Sequence, residues 1–295
     1  MIKRILILFV IAQLSMMSYS QTPKWAEKAK KAVFSVVTYD ANDKILNTGN
    51  GFFISEKGVA ISDYALFKNA QRAVIITSEG EKMPVKAILG ANDMYDVVKF
   101  SVDITSKKVA NLTLSETPMA EGTKLWLLPY STQKVRSLTS GNVNSVDKIS
   151  DYAYYTINLP LKEKMVSCPL MNDGGLVVAL AQKASGQDTA TICYGVDARF
   201  ANSQEITAIS YNDYALKQIG IKKALPETED QALIFLYMIS SQADAEQYAS
   251  LLNDFIAQYP NSADGYVRRA SNQLILSTDD SSLEKIEKDI HQALQ

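Results

Sequence analysis

The sequence contains one histidine, His291, set in its last stretch of helical periodicity. A single imidazole in that place leaves little for histidine-based acid–base chemistry and nothing for a histidine-built metal site. Cysteine is almost as scarce. Cys168 and Cys193 could hold one disulfide in an exported protein, or pack as small buried hydrophobes, but two thiols fall short of a closed zinc site. His, Cys, Asp and Glu cluster nowhere at ligand spacing. Neither G-x-G-x-x-G after a strand nor G-x-x-x-x-G-K-[ST] occurs, so no metal and no cofactor is expected. Charge of one sign is also missing: 30 Lys and Arg stand against 32 Asp and Glu, for a net charge of −2 and a pI near 5.6. Without a basic field or a basic block, nucleic acid and anionic membrane surfaces are excluded as partners. After the first 20 residues no apolar run approaches the roughly 20 residues that a membrane span requires.

What is present is ordinary globular composition, 47% hydrophobic and 21% charged over 295 residues, enough for one large or two modest domains. Residues 1–20 have a basic start (Lys3, Arg4), an apolar run from Ile5 to Val10, and small residues at Ser18 and Ser20. This is the layout of a secretory signal peptide, the alternative being an uncleaved anchor. It implies an exported protein, periplasmic or secreted, that meets the membrane only through this segment before cleavage. No Cys follows the apolar run, so a lipoprotein anchor is not indicated.

From residue 32 the chain reads as short strands: 32–39, the pair 51–55 and 59–62 around the Glu56-Lys57-Gly58 turn, 72–77, 83–89 and 96–102. A second group follows at 120–128, 138–146 (broken by a turn at Gly141), 152–159, 175–180 and 191–196. β-Branched and aromatic enrichment with Gly punctuation predicts an all-β barrel or sandwich. Residues 211–223 show helical spacing, 225–229 reads as a linker, and from Asp230 apolar residues recur at helical period in two rounds joined by Pro260-Asn261-Ser262-Ala263.

The stretch Thr48 to Leu66, TGNGFFISEKGVAISDYAL, resembles the opening of HtrA-type, trypsin-like serine proteases, in which a second strand runs into a T-N-x-H-V segment. The resemblance extends over the two strand groups to about Phe200 and implies a double β-barrel over residues 21–224. It also implies where catalysis would sit. Ala65 falls on the histidine position and Asp96 on the aspartate position. The nucleophile falls on Val166 when the run is anchored on Pro169, or on Asp173 when Asn172-Asp173-Gly174-Gly175 is taken as the motif. Neither register delivers a serine. Ser167 and Cys168 lie one and two residues away, with no identified base unless the His291 helix enters the cleft or Lys162 or Lys164 serves. Asn111-Leu112-Thr113 is formally a glycosylation sequon, a pattern too short to use. Residues 230–295 resemble tetratricopeptide repeats, with Pro260 and Ala270 at common positions, though the Trp and Gly-Tyr signatures are missing. About two repeats fit, so either they lean on the β domain or more chain follows Gln295.

The expectation is therefore a trypsin-like double barrel with a degenerate triad, Ala65, Asp96 and Val166, followed by helical repeats. Losing one triad member removes several powers of ten in rate, and losing two is scarcely worse. The function expected is recognition of a protein or extended peptide without cleavage. The alternative is a serine-type endopeptidase with a non-standard nucleophile and base.

Overall fold

The computed structural model describes residues 22–104, 108–135, 137–183, 191–207, 209–276 and 281–295. The expected signal peptide, 1–20, lies outside the described residues. After a short helix, α1 (Ala26–Ala29), come strands β1 (Val33–Tyr39), β2 (Ile45–Phe53), β3 (Val59–Ser62), a one-turn helix α2 (Tyr64–Phe67), β4 (Arg72–Ile76), β5 (Lys82–Asn92) and β6 (Val97–Val102). They close into a barrel in the order β1-β2-β3-β6-β5-β4. Strands β7 (Lys124–Leu127), β8 (Thr139–Ile149), β9 (Tyr152–Ile157), β10 (Pro169–Met171), β11 (Val177–Lys183) and β12 (Cys193–Asp197) close a second, β10-β11-β12-β9-β8-β7.

The apolar runs explain how the two barrels meet. Side chains alternate across a strand, and here neighbours go to different cores. Phe34, Phe53, Ala60 and Val98 point into the first barrel, while the adjacent Val33, Phe52, Ile61 and Val97 point outward. That outward face is met by Trp126, Leu128, Met171, Val177 and Leu180 of the second barrel, whose own interior holds Leu125, Leu127, Leu170 and Val178. Strands buried on both faces read as continuous hydrophobic runs. Each large side chain fully removed from water contributes roughly 1.5–3 kcal/mol, so the seam between the barrels is stabilised on the same scale as their interiors.

Two sequence expectations are corrected. The turn expected at Gly141 is not a turn: β8 continues through it, and a Cβ there would collide with the Asn158 carbonyl oxygen. Gly141 permits a close approach of two backbones, the other common use of glycine in strands. Residues 211–223 are not one helix. A single turn, α3 (Tyr214–Lys217), gives way to extended chain that docks on the first barrel. There the Ile88 N–H donates to the Lys222 carbonyl (2.8 Å) and the Ala224 N–H to the Ile88 carbonyl (2.8 Å).

Four helices follow, α4 (Glu229–Ile239), α5 (Ala245–Gln258), α6 (Ala263–Leu276) and α7 (Ser281–Ala293). Thr228 and Asp244 cap the first two, each accepting from the backbone N–H three residues on, as N-caps do. The helices do not stand apart from the barrel. Leu216, Ile219, Ile221 and Leu225 bridge the first barrel's core to Ala232, Phe235, Leu252 and Phe255. The stretch expected as a linker is packed: Leu225 is buried and the Pro226 carbonyl accepts from Tyr259 Oη (2.9 Å) and Gln258 Nε2 (3.0 Å).

Candidate functional site at the seam between the barrels

β3 ends at Ser62 and the chain turns through Asp63 into α2. That turn is held from β6's approach: the Ala65 N–H donates to Asp96 Oδ1 at 2.7 Å and the Tyr64 N–H to the Asp96 carbonyl at 3.2 Å. Asp96 thus caps a helix N-terminus from outside, where a carboxylate is favoured. It does so from a left-handed backbone conformation, φ 52°, which Asp tolerates better than most residues. Burial pushes its pKa up, and the Ala65 N–H pulls the other way. Ala65 itself is exposed, so beside the Asp96 carboxylate stands a methyl group and open space.

The second barrel contributes the loop before β10. Its 3-10 turn, Glu163–Met165, turns two N–H groups on itself: the Met165 N–H goes to the Lys162 carbonyl (2.8 Å) and the Val166 N–H to the Glu163 carbonyl (3.3 Å). Acyl transfer requires N–H groups aimed at the developing oxyanion, and the Val166 N–H, at the position read as the nucleophile, points into its own turn. Asn50 of β2 clamps the loop, its Nδ2 donating to the carbonyls of Val166 (2.8 Å) and Lys164 (3.0 Å). Ser62 Oγ donates to the Asn50 carbonyl at 2.5 Å.

Beneath this clamp, Asp63 and Ser167 face each other across the seam. Both are buried, 4% and 1% exposed. Burial, then the charge on Asp96, push the Asp63 carboxyl up to about 8, with the Ser167 hydroxyl holding it down. The hydroxyl lies close enough to act on the carboxyl, yet neither Asp63 Oδ1 nor Ser167 Oγ completes a hydrogen bond of normal geometry. Ser167 also has φ 64°.

The structure therefore brings Asp96, Ala65 and the Val166–Ser167 segment to one place. Asp173, on the other register, is exposed and engaged elsewhere: its Oδ1 accepts from Trp126 Nε1 (2.6 Å) and its carbonyl from Trp25 Nε1 (3.0 Å). Cys168 and Cys193 are both free, buried thiols in the second barrel's core. The disulfide allowed by the sequence is not formed. Burial pushes each thiol up to about 12, so neither is a thiolate near neutral pH. His291 is exposed on α7, a helix that packs against α6. Lys162 and Lys164 are exposed. Among the described residues no group of three metal-ligating side chains gathers, and no helix is long and apolar enough to cross a membrane.

Sequence reasoning missed Asp63, Asn50 and Ser62. A charged residue directly after an apolar strand, next to the position expected for histidine, was a signal for Asp63. Asn50 lies in a segment chosen for its glycines and aromatics, and nothing local marks it as a bridge to residue 166.

Residues 49–180 match the family model of the trypsin-like peptidase domain. No curated protein sequence matches the chain. Among solved structures the chain is similar to the serine endoprotease from Yersinia pestis, with 16% identity and a TM-score of 0.49, over 60% of this chain and 62% of that one. The chain thus spans less than two thirds of that endoprotease. The double barrel of trypsin-like kind, followed by a helical segment, rests on the strand order and closure of the two barrels.

Proposed function

We propose that this chain is an exported, catalytically inactive homologue of trypsin-like proteases, a pseudoprotease that binds a protein or extended peptide without cleaving it. The observation that carries the reading is at Asp96, whose carboxylate accepts from the backbone N–H of Ala65, where proton transfer would need an imidazole. Val166, the position read as the nucleophile, offers an isopropyl group, and its N–H is engaged in its own turn. In this reading Ala65, Asp96 and Val166 are the remains of a triad, and the fold is kept for recognition. Residues 1–20 act as the signal peptide. The helices, whose first and third members start 34 residues apart at Glu229 and Ala263, act as tetratricopeptide-like repeats offering a surface for a partner.

One observation favours the alternative, a serine-type endopeptidase with a non-standard site: Ser167 stands against Asp63. Two facts weigh against it. Burial pushes the Asp63 carboxyl up to about 8, which leaves only a minor ionised fraction to accept a proton near neutral pH, and both side chains are closed off from solvent. Incubating the purified chain with casein and fluorogenic peptides is expected to give no turnover. Turnover that disappears in Ser167→Ala would replace the proposal with the endopeptidase.

A further inference from the structure

The last helix pair is apolar on a face where the helix before it is covered. On α5 the set Tyr248, Leu251, Leu252, Phe255 and Ile256 is buried throughout. Its C-terminal end is met by α6, whose Gly265 lets the backbone lie on it: a Cβ there would stand 2.8 Å from the Phe255 ring and 3.1 Å from Ile256 Cγ1. α7 repeats the same spacing with Ile286, Asp289, Ile290, Ala293 and, just past its end, Leu294. Ile286 and Asp289 are buried, the Asp289 carboxylate accepting from Arg269 Nε (2.7 Å) and Nη2 (2.6 Å). Ile290 and Leu294, the counterparts of Leu252 and Ile256, are 48% and 81% exposed.

α6 adds to the same side of the pair. Arg269 Nη1 also donates to Asn253 Oδ1 of α5 at 3.0 Å, so the Arg269–Asp289 bonds close the side of the pair that faces α5. Ala270 and Ile286 are buried on their two helices. The residues three before and four after each of them, Val267 and Leu274 on α6, Leu283 and Ile290 on α7, are exposed. Side chains at those spacings share a helix face, and the two faces make one apolar groove on the side away from α5. A repeat left in water carries a polar outer face, and exposed contiguous apolar surface marks an interaction site.

The groove's edge selects the occupant. Glu287 is a helix-face neighbour of both Leu283 and Ile290, and Glu284 lies one turn before it. Both are exposed, and neither forms an ion pair among the described residues. Lys285 and Lys288 fall on the far side of α7 from the Leu283–Ile290 line. On the α6 side Asp264 and Arg268 offset each other, so the groove has one acidic edge. A second copy of the chain brings no surplus cation to that edge, since its own groove carries the same residues.

We propose that the groove between α6 and α7 docks an amphipathic helix of a partner protein. That helix is apolar on one face, has glycine or alanine where it crosses Ala293 and Leu294, and carries Lys or Arg along the edge that meets Glu284 and Glu287. The proposal deepens the recognition reading above by placing the partner on the helices, and rests on that reading only for there being a partner to bind.

The test uses the full chain and three synthetic helical peptides. Two share a leucine face with a central alanine and differ in their flanks, lysine in one and glutamate in the other; the third has lysine flanks with glutamine in place of every leucine. The lysine-flanked leucine peptide is expected to bind at least about tenfold tighter than the glutamate-flanked one, and the glutamine peptide to stay unbound. Replacing both Glu284→Lys and Glu287→Lys should reverse the preference between flanks. Ile290→Glu should abolish binding, and Ile234→Glu, at an exposed position of α4, should leave it unchanged. Leu283→Glu replaces Ile290→Glu if the latter lowers Tm. Equal affinity for the two flanks would overturn the basic partner, and sensitivity to Ile234→Glu rather than Ile290→Glu, or silence from all three peptides, would overturn the groove. A dimer in sedimentation equilibrium that Ile290→Glu makes monomeric would seat a second copy there and overturn the proposal. Casein turnover, by contrast, would sink the inactive-homologue reading and leave these binding results as they stand.

Discussion

Asp63 holds a proton that the unfolded chain releases. Burial first, and the Asp96 charge second, move its pKa from 3.8 to about 8. Because the folded value is the higher one, the folded state binds more protons between the two, so this group's contribution is fully present below about pH 4 and is lost as pH rises through about 8. The slope is at most about 1.4 kcal/mol per pH unit. Asp96, also raised, acts in the same direction. Urea midpoints at about pH 5.5 and about pH 8.5 should therefore differ more for the natural chain than for Asp63→Asn, which keeps the shape without the charge and adds a donor toward Ser167. Parallel pH dependences in the two proteins would remove Asp63 as the cause. This residue is also where sequence reading stopped short. The loss of an imidazole at Ala65 was legible because one position carries it, whereas the Asp63–Ser167 contact joins residues 104 apart in the chain (167 less 63) and needed the fold.

At the scale of elements, the glycines in strands separate two causes that look alike in sequence. A turn glycine such as Gly80, at φ 84° with nothing within 4 Å of where a Cβ would stand, is constrained by backbone conformation alone, and alanine there should cost about 1 kcal/mol. Gly141 is constrained by the Asn158 carbonyl pressed against it. Gly141→Ala must move β8 away from the residue after β9, and is expected to cost about 2 kcal/mol or more. Denaturant unfolding of both variants checks the order, which would be wrong if Gly80→Ala were the more damaging. The strands were legible because their apolar runs are short, β-branched and closed by Gly turns. The helical spacing over 211–223 was misleading for a related reason. Leu216, Ile219 and Ile221 are apolar because they face the first barrel, and an extended segment docked on a sheet can show the same spacing as a helix face.

The whole molecule has a core that runs from the first barrel into the helices. Phe235 on α4 is 1% exposed, its ring 5.2 Å from that of Tyr211, within the cluster that holds Phe34 and Phe100. Phe235→Ala should cost about 3–5 kcal/mol, and the loss should appear as faster hydrogen exchange at the Ile88 amide, which the docked strand protects. Unchanged exchange at Ile88 would mean that helices and barrel unfold independently. The change of texture from Asn202 was legible as the place where the strands end, since the last of them closes at Asp197. That the helices lean on the first barrel was one of two sequence alternatives, and the bridge through Leu216 to Leu225 carries it. Against this shared framework, the central claim is that the seam has lost its acyl-transfer chemistry. Intact-mass spectrometry of the full chain after exposure to a fluorophosphonate probe tests it most directly. The mass is expected to stay that of the untreated protein, and a single adduct that is absent from Ser167→Ala would contradict the claim.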